Sequence, residues 1–287
     1  MSSENTPAIG GSAERRRKRR AGFLTIGSRR INGQRVPIDV RRHSVRLPGL
    51  PPELAGMTIA FAADFHFSYI HPAGRIRAAV DRMMELKADI ILLGGDYLTR
   101  ARHSFDAVIS ELSLLDAPRG VYAVPGNHDY ESGVNDLGEA IAHTHIVDLT
   151  NRGMRFDAGC GEAAAPSDSR CLWLGGLDDL WYGRPDHKAA VKGAPAGSVR
   201  LLLCHNPDTV DLLPPGAADL ILAGHTHGWQ VYIPGLSRAF IPKQKARYRH
   251  GFYHTHAGRM YVTSGIGHSH VPVRYRCSSE IVLLELS

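Results

Sequence analysis

Five short stretches bring Asp, Asn and His together in a way that can do chemistry: Asp64-Phe65-His66, Gly95-Asp96, Gly126-Asn127-His128-Asp129, Cys204-His205-Asn206 and Gly224-His225-Thr226-His227. Carboxylate, amide and imidazole donors without a thiolate form a hard-to-borderline ligand set. It suits Mn, Fe or Zn ions in a reactive site and is unlike a cysteine-rich structural zinc site. Seven such donors (Asp64, His66, Asp96, Asn127, His205, His225 and His227) are too many for one ion and suit two ions sharing a carboxylate. Two divalent cations outweigh the charges of Asp64 and Asp96, and the surplus attracts phosphate. Paired ions of this kind clamp the attacking and leaving oxygens in phosphoester hydrolysis. Each piece alone has an ordinary explanation, such as a Gly-Asp turn, a hydrogen-bonded core histidine or a pair of surface histidines. Their order, each just past an apolar run, makes the set specific.

Those apolar runs are the elements that must position the donors. Residues 57–63, 88–93, 121–124, 171–174, 199–203, 219–223, 260–263 and 280–286 predict buried strands. Residues 76–87 predict a helix with Ile76, Ala79, Val80, Met83, Met84 and Leu86 at its apolar positions, and 104–115 a second. Shorter helices are expected at 135–143 and 207–213, and surface loops at 159–170 and 243–259. Strand and helix alternate, so the fold class is α/β. In such sheets ligands sit beyond the carboxyl ends of strands, where all five stretches fall.

The series D-x-H, G-D, G-N-H-D, H and G-H-x-H resembles that of the calcineurin-like metallophosphoesterases, over about residues 45–287. Cys204-His205-Asn206-Pro207, Gly228-Trp229-Gln230, Gly265-Ile266-Gly267 and the ending Ser279 to Leu286 are similar to one branch of that family. This branch holds bacterial membrane-associated phosphodiesterases and a UDP-2,3-diacylglucosamine pyrophosphatase. The resemblance implies two central mixed β-sheets flanked by helices, an αββα sandwich. It implies that Asp64, His66 and His227 hold one metal ion, that Asn127, His205 and His225 hold the second, and that Asp96 bridges them. Manganese is the expected metal, with iron or zinc as alternatives, and metal-bound hydroxide is the implied nucleophile. His128 would face the phosphate and either stabilise the developing charge or protonate the leaving oxygen, with Asp129 as its orienting and pKa-raising partner. Asn206, Trp229 and Arg274 are candidate substrate contacts. Phe67-Ser68 and Trp229 depart from the usual family pattern without removing a ligand.

Composition frames the rest. The 287 residues carry a formal net charge of +6, but residues 1–46 hold twelve Lys or Arg against three acids, a net of +9 that leaves the remainder at −3. Residues 1–44 are therefore read as a basic, disordered arm and 45–287 as the catalytic domain. The arm could touch anionic lipid or serve as a solvated tail, and it lacks the interleaved aromatics that nucleic-acid stacking requires. No run of eighteen apolar residues encodes a transmembrane helix, and the polar residues after Arg19-Arg20 do not fit an export signal. Four scattered cysteines fit a reduced compartment, so the expected location is cytoplasmic or peripheral on the cytoplasmic membrane face. The expected reaction is hydrolysis of a phosphodiester or pyrophosphate, with UDP-2,3-diacylglucosamine of lipid A synthesis as the leading substrate. Soluble nucleotides or phospholipid headgroups are the alternative. A scaffold without catalysis is the reading from another class, and it conflicts with a complete ligand set.

Overall fold

The computed structural model describes residues 24–26, 29–30, 37–68, 73–99, 104–156, 171–237, 247–268 and 273–287. Its centre is two six-stranded mixed sheets packed face to face. The first contains β3 (Asp39–Val45), β4 (Thr58–Ala62), β5 (Ile90–Leu93), β6 (Val121–Ala123), β7 (Val147–Asp148) and β15 (Glu280–Leu286), in the order β3-β15-β4-β5-β6-β7. The second contains β8 (Arg152–Phe156), β9 (Leu172–Gly176), β10 (Val199–Leu203), β11 (Leu220–Ala223), β12 (Gly251–Thr255) and β13 (Gly258–Val262), in the order β12-β13-β11-β10-β9-β8. A small third sheet joins β14 (Val273–Tyr275) to β1 (Leu24–Ile26) and β2 (Arg29–Arg30).

Alternation along the strands builds the layers. Ile90 and Leu92 of β5 face the second sheet and join Leu201, Leu203, Leu220 and Leu222 in the inter-sheet core. Ile91 and Leu93 point the other way, onto the helices. There they meet Ile76, Ala79, Val80 and Met83 of α1 (Ala73–Met84) and Phe105, Val108, Ile109 and Leu112 of α2 (Phe105–Leu112). Ile221 and Ala223 of β11 pack outward against Val210 and Leu213, under the 3-10 turn Pro207–Leu212 and the short helix α4 (His187–Ala190). The period of two that buries both faces of these strands is why the sequence shows continuous apolar runs.

Three expectations change. The third helix, α3, runs Asn127–Ala142, longer than the predicted 135–143, because it starts within the G-N-H-D motif and continues across a kink at Gly133 (φ 110°). Part of the stretch read as an arm is strand: β3, which begins at Asp39, runs parallel to β15 in full register, and β1 pairs antiparallel with β14. β3 hides in an Arg-rich stretch because it lies at a sheet edge, where Arg41 reaches the buried Glu280 at 3.5 Å. The loop expected at 243–259 contains β12, which pairs with β13. The expected loop at 159–170 and the arm's basic run lie outside the described residues. Among the described residues no helix is long and apolar enough to cross a membrane.

Candidate metal centre

The parallel strands β4, β5, β6, β10 and β11 all end at one edge of the sandwich, and each is followed at once by donors. Asp64 and His66 follow β4, Asp96 follows β5, Asn127 and His128 follow β6, His205 follows β10, and His225 and His227 follow β11. All eight are buried. Five of the donors sit in the left-handed region: Asp64 (φ 57°), His66 (50°), Asp96 (57°), His225 (70°) and His227 (52°). Such backbone costs on the order of 1–3 kcal/mol per residue and persists where surrounding structure over-determines it, which concentrates it at functional sites.

Two glycines show how close the loops approach. A Cβ on Gly126 would collide with Asp96 Oδ1, and one on Gly224 would lie 2.6 Å from Asp64 Oδ2. Asp129 ties the same loops together, its carboxylate accepting from the backbone N–H groups of Asp96 and Gly126 (Oδ2, both 2.8 Å) and of Tyr97 (Oδ1, 2.8 Å). The His128 N–H donates to Asp96 Oδ1 at 2.9 Å, so the start of α3 is also fixed against Asp96.

The donor atoms form two groups that share one residue. Asp64, His66, Asp96 and His227 converge in one, and Asp96, His205 and His225 in the other, with the ligand atoms of each group within 4.8 Å of one another. His205 Nδ1–H donates to the Gly94 carbonyl at 2.7 Å, which leaves Nε2 as a lone pair facing Asp96 Oδ2 at 3.1 Å. His66 Nε2 and His227 Nε2 face each other at 3.0 Å, and His227 Nε2 is 3.3 Å from Asp64 Oδ1. Asn127 Oδ1 is buried with no hydrogen-bond partner among the described residues. Lone pairs turned toward one another in a dry site need a cation or protons between them. The residues therefore fit a pair of divalent ions, and each of the seven donors read from the sequence lies at this edge.

Without metal, protons take that role. Burial, followed by the charge of Asp96, pushes Asp64 up to about 7. Burial opposes charge on His205, but Asp96 outweighs it and lifts His205 to about 10. Burial likewise opposes charge on Asp96, and His205 followed by His66 outweighs it, holding that carboxylate low. Asp64 keeps in the fold a proton that the unfolded chain would release above its usual 3.8. Stability of the metal-free protein therefore falls as pH rises from there toward 7. Raised His205 stabilises fully below 6.5, and its share is lost as pH climbs through about 10. Metal requires Asp64 ionised and His205 neutral, so uptake releases protons. Manganese is expected to raise the melting temperature more at pH 8 than at pH 6. Calorimetry in buffers of different ionisation enthalpy should show protons released on binding; a pH-independent affinity without proton release would contradict the assignment.

Other candidates land differently. Asp129 does not orient His128, because its oxygens are engaged by backbone N–H groups. His128 Nδ1 instead bonds Glu131 Oε2 at 2.9 Å. Asn206 caps the following 3-10 turn, its Oδ1 accepting from the Asp208 N–H at 3.0 Å, while its buried Nδ2 has no partner among the described residues. The Trp229 ring lies 6.3 Å from that of Tyr232, and the indole against a metal donor is Trp181, whose ring stands edge-on to His225 at 4.5 Å. Arg274 is only 1% exposed. Its guanidinium serves the Ser264–Gly267 loop: Nη2 donates to the Ser264 carbonyl at 2.7 Å and Nε to the Gly267 carbonyl at 3.1 Å. That loop buttresses the metal centre, since the Gly267 N–H donates to the Asp64 carbonyl at 2.6 Å. Arg274→Ala strands these carbonyls and opens a void. It should cost about 3–5 kcal/mol, read as a fall in denaturation midpoint, with only partial rescue by Lys.

Residues 57–229 match the family model described as calcineurin-like phosphoesterase, more than half of the chain. The chain belongs to the calcineurin-like phosphoesterase family. Membership makes it a metal-dependent hydrolase of phosphoric esters, with candidate residues for a dinuclear metal site. The phosphoesterase is 33% identical over 252 residues to phosphodiesterase YaeI of Escherichia coli, covering 86% of this chain and 88% of that one. It is 25% identical over 237 residues to the UDP-2,3-diacylglucosamine pyrophosphatase LpxG of Chlamydia trachomatis, covering 69% and 71%. Among solved structures, Haemophilus influenzae NAD nucleotidase aligns with a TM-score of 0.46 at 16% identity, over 74% of this phosphoesterase and 45% of that chain.

Proposed function

We propose that this phosphoesterase hydrolyses a phosphodiester or pyrophosphate at a dinuclear manganese centre held by Asp64, His66, Asp96, Asn127, His205, His225 and His227. The observation that carries the reading is the pair of donor groups sharing Asp96. Bound there, two divalent ions would polarise the phosphoryl oxygens and lower the pKa of water. The protein supplies the rest. Water adds its oxygen to phosphorus and releases a proton to solvent. The bond to the leaving oxygen breaks with its electron pair, and the proton on His128 Nε2 moves to that oxygen. The His128 and His66 ring centroids are 5.1 Å apart, and this closeness of the ring to the donor cluster supports the role.

For the substrate we favour UDP-2,3-diacylglucosamine presented at the cytoplasmic face of a membrane. The relation to LpxG supports it, as does the +9 basic N-terminal region. Trp181 and Tyr182, 43% and 54% exposed beside the site, offer aromatic faces to a planar base. The test is UMP release from that lipid in anionic vesicles, compared with bis-p-nitrophenyl phosphate in solution. Because deleting residues 1–44 would strip most of β3, the role of the basic run is better tested by changing Arg15 to Arg20 to Ser or Gln. Lipid cleavage should fall while the soluble diester is cleaved as before. Hydrolysis of soluble diesters with none of the lipid would establish the alternative, a phosphodiesterase of soluble nucleotides or headgroups.

A further inference from the structure

The sequence reading pairs His128 with Asp129, whereas the structure pairs it with Glu131. His128 and Glu131 are three residues apart on the first turn of α3, a spacing at which side chains meet. His128 Nδ1 lies 2.9 Å from Glu131 Oε2, and Tyr182 Oη donates to Glu131 Oε1 at 3.0 Å. Glu131 thus bridges α3 to the loop after β9. That loop is braced from within: the Asp179 carboxylate accepts from the N–H groups of Trp181 (2.8 Å) and Tyr182 (2.9 Å), and Asp178 accepts from the Arg184 N–H at 2.8 Å. Tyr130, also on α3, adds a 2.6 Å bond to Asp178. The Tyr182 hydroxyl is therefore delivered by a preset loop.

We infer that Glu131 and Tyr182 are positioning residues for the phosphoester reaction, a Tyr182–Glu131–His128 chain that holds the ring with its Nδ1–H donating to Glu131 and its protonated Nε2 turned to the leaving oxygen. The inference rests on the proton role of His128 stated above. A carboxylate oxygen only accepts, so Glu131 fixes which ring nitrogen donates to it. Tyr182 occupies the other oxygen and limits rotation of the carboxylate. The loop of Trp181, the aromatic beside His225, thereby also sets the orientation of His128, so one segment serves both substrate contact and proton delivery.

The test compares Glu131→Gln, Glu131→Asp and Tyr182→Phe with the natural protein, all manganese-loaded, on bis-p-nitrophenyl phosphate and diphenyl phosphate. Nitrophenolate departs readily without a proton, whereas phenolate departs far better with one. Glu131→Gln should lower kcat on the phenyl diester about 10-fold or more, and on the nitrophenyl diester several-fold less, with KM and metal content per chain unchanged. Tyr182→Phe, which keeps the ring at an exposed position, should give a smaller loss with the same bias. Glu131→Asp should recover part of it. The 15N spectrum of the imidazoles should show the His128 tautomer ratio shifting in Glu131→Gln. Equal losses on both diesters, losses that follow metal content, or an unchanged 15N pattern would overturn the inference. Failure of the natural protein to cleave either diester with two ions bound would instead overturn the proposed function.

Discussion

Asp96→Asn should abolish turnover and leave at most one tightly held ion per chain. Asp96 belongs to both donor groups and is the carboxylate nearest His205. It is 1% exposed, receives the His128 N–H, and stays ionised against its own burial because His205 and His66 lie beside it. The amide keeps the volume but replaces one acceptor oxygen with a donor turned toward imidazoles. A site that must hold two cations then loses a negative charge where they meet. Lost charge stabilisation of several kcal/mol corresponds to a fall in kcat of about 1,000-fold or more. Elemental analysis after metal loading and desalting, alongside hydrolysis of bis-p-nitrophenyl phosphate, checks both parts. Full activity with two ions retained would exclude Asp96 as the shared ligand.

His128→Gln should separate chemistry from metal binding. His128 is 7% exposed, starts α3 beside the donors, and belongs to neither donor group. Removing an acid that protonates the leaving oxygen costs about 100- to 10,000-fold where the leaving group is an alcohol or a phosphate. The loss should shrink on nitrophenyl esters, and two ions should still bind. Because the backbone N–H that holds Asp96 is unaffected by the side-chain change, the melting temperature should move little. Equal loss on good and poor leaving groups would place His128 in substrate binding instead.

Much of this site was legible because its chemistry is written at strand ends. A buried parallel strand shows as an apolar run, and polar donors directly after it have few other reasons to sit at a core boundary. The seven donors could therefore be read without knowing the sheet order. Residues whose role depends on three-dimensional neighbours could not. Arg274 reads as a phosphate contact because it is cationic, yet the loop that wraps Asp64 consumes its donors. Asp129 reads as a partner for His128 by adjacency, although neighbours on a helix point apart. Glu131, at the helical spacing of three, was the legible partner once α3 was known to begin at Asn127. Tyr182 lies 51 positions from Glu131, and no local pattern links them. The edge strands β3 and β12 were missed for a related reason: with one side open, they carry Arg, His and Tyr where central strands carry Leu and Ile.

Two ions sharing Asp96 are the core of the proposed centre. Electron paramagnetic resonance of the manganese-saturated protein tests it most directly, since ions bridged by one carboxylate couple their spins. Two manganese ions per chain with an exchange-coupled multiline signal are expected, collapsing in Asp96→Asn to the six-line pattern of an isolated ion. A six-line spectrum from the natural protein at saturation, with one ion per chain or two uncoupled ones, would contradict it.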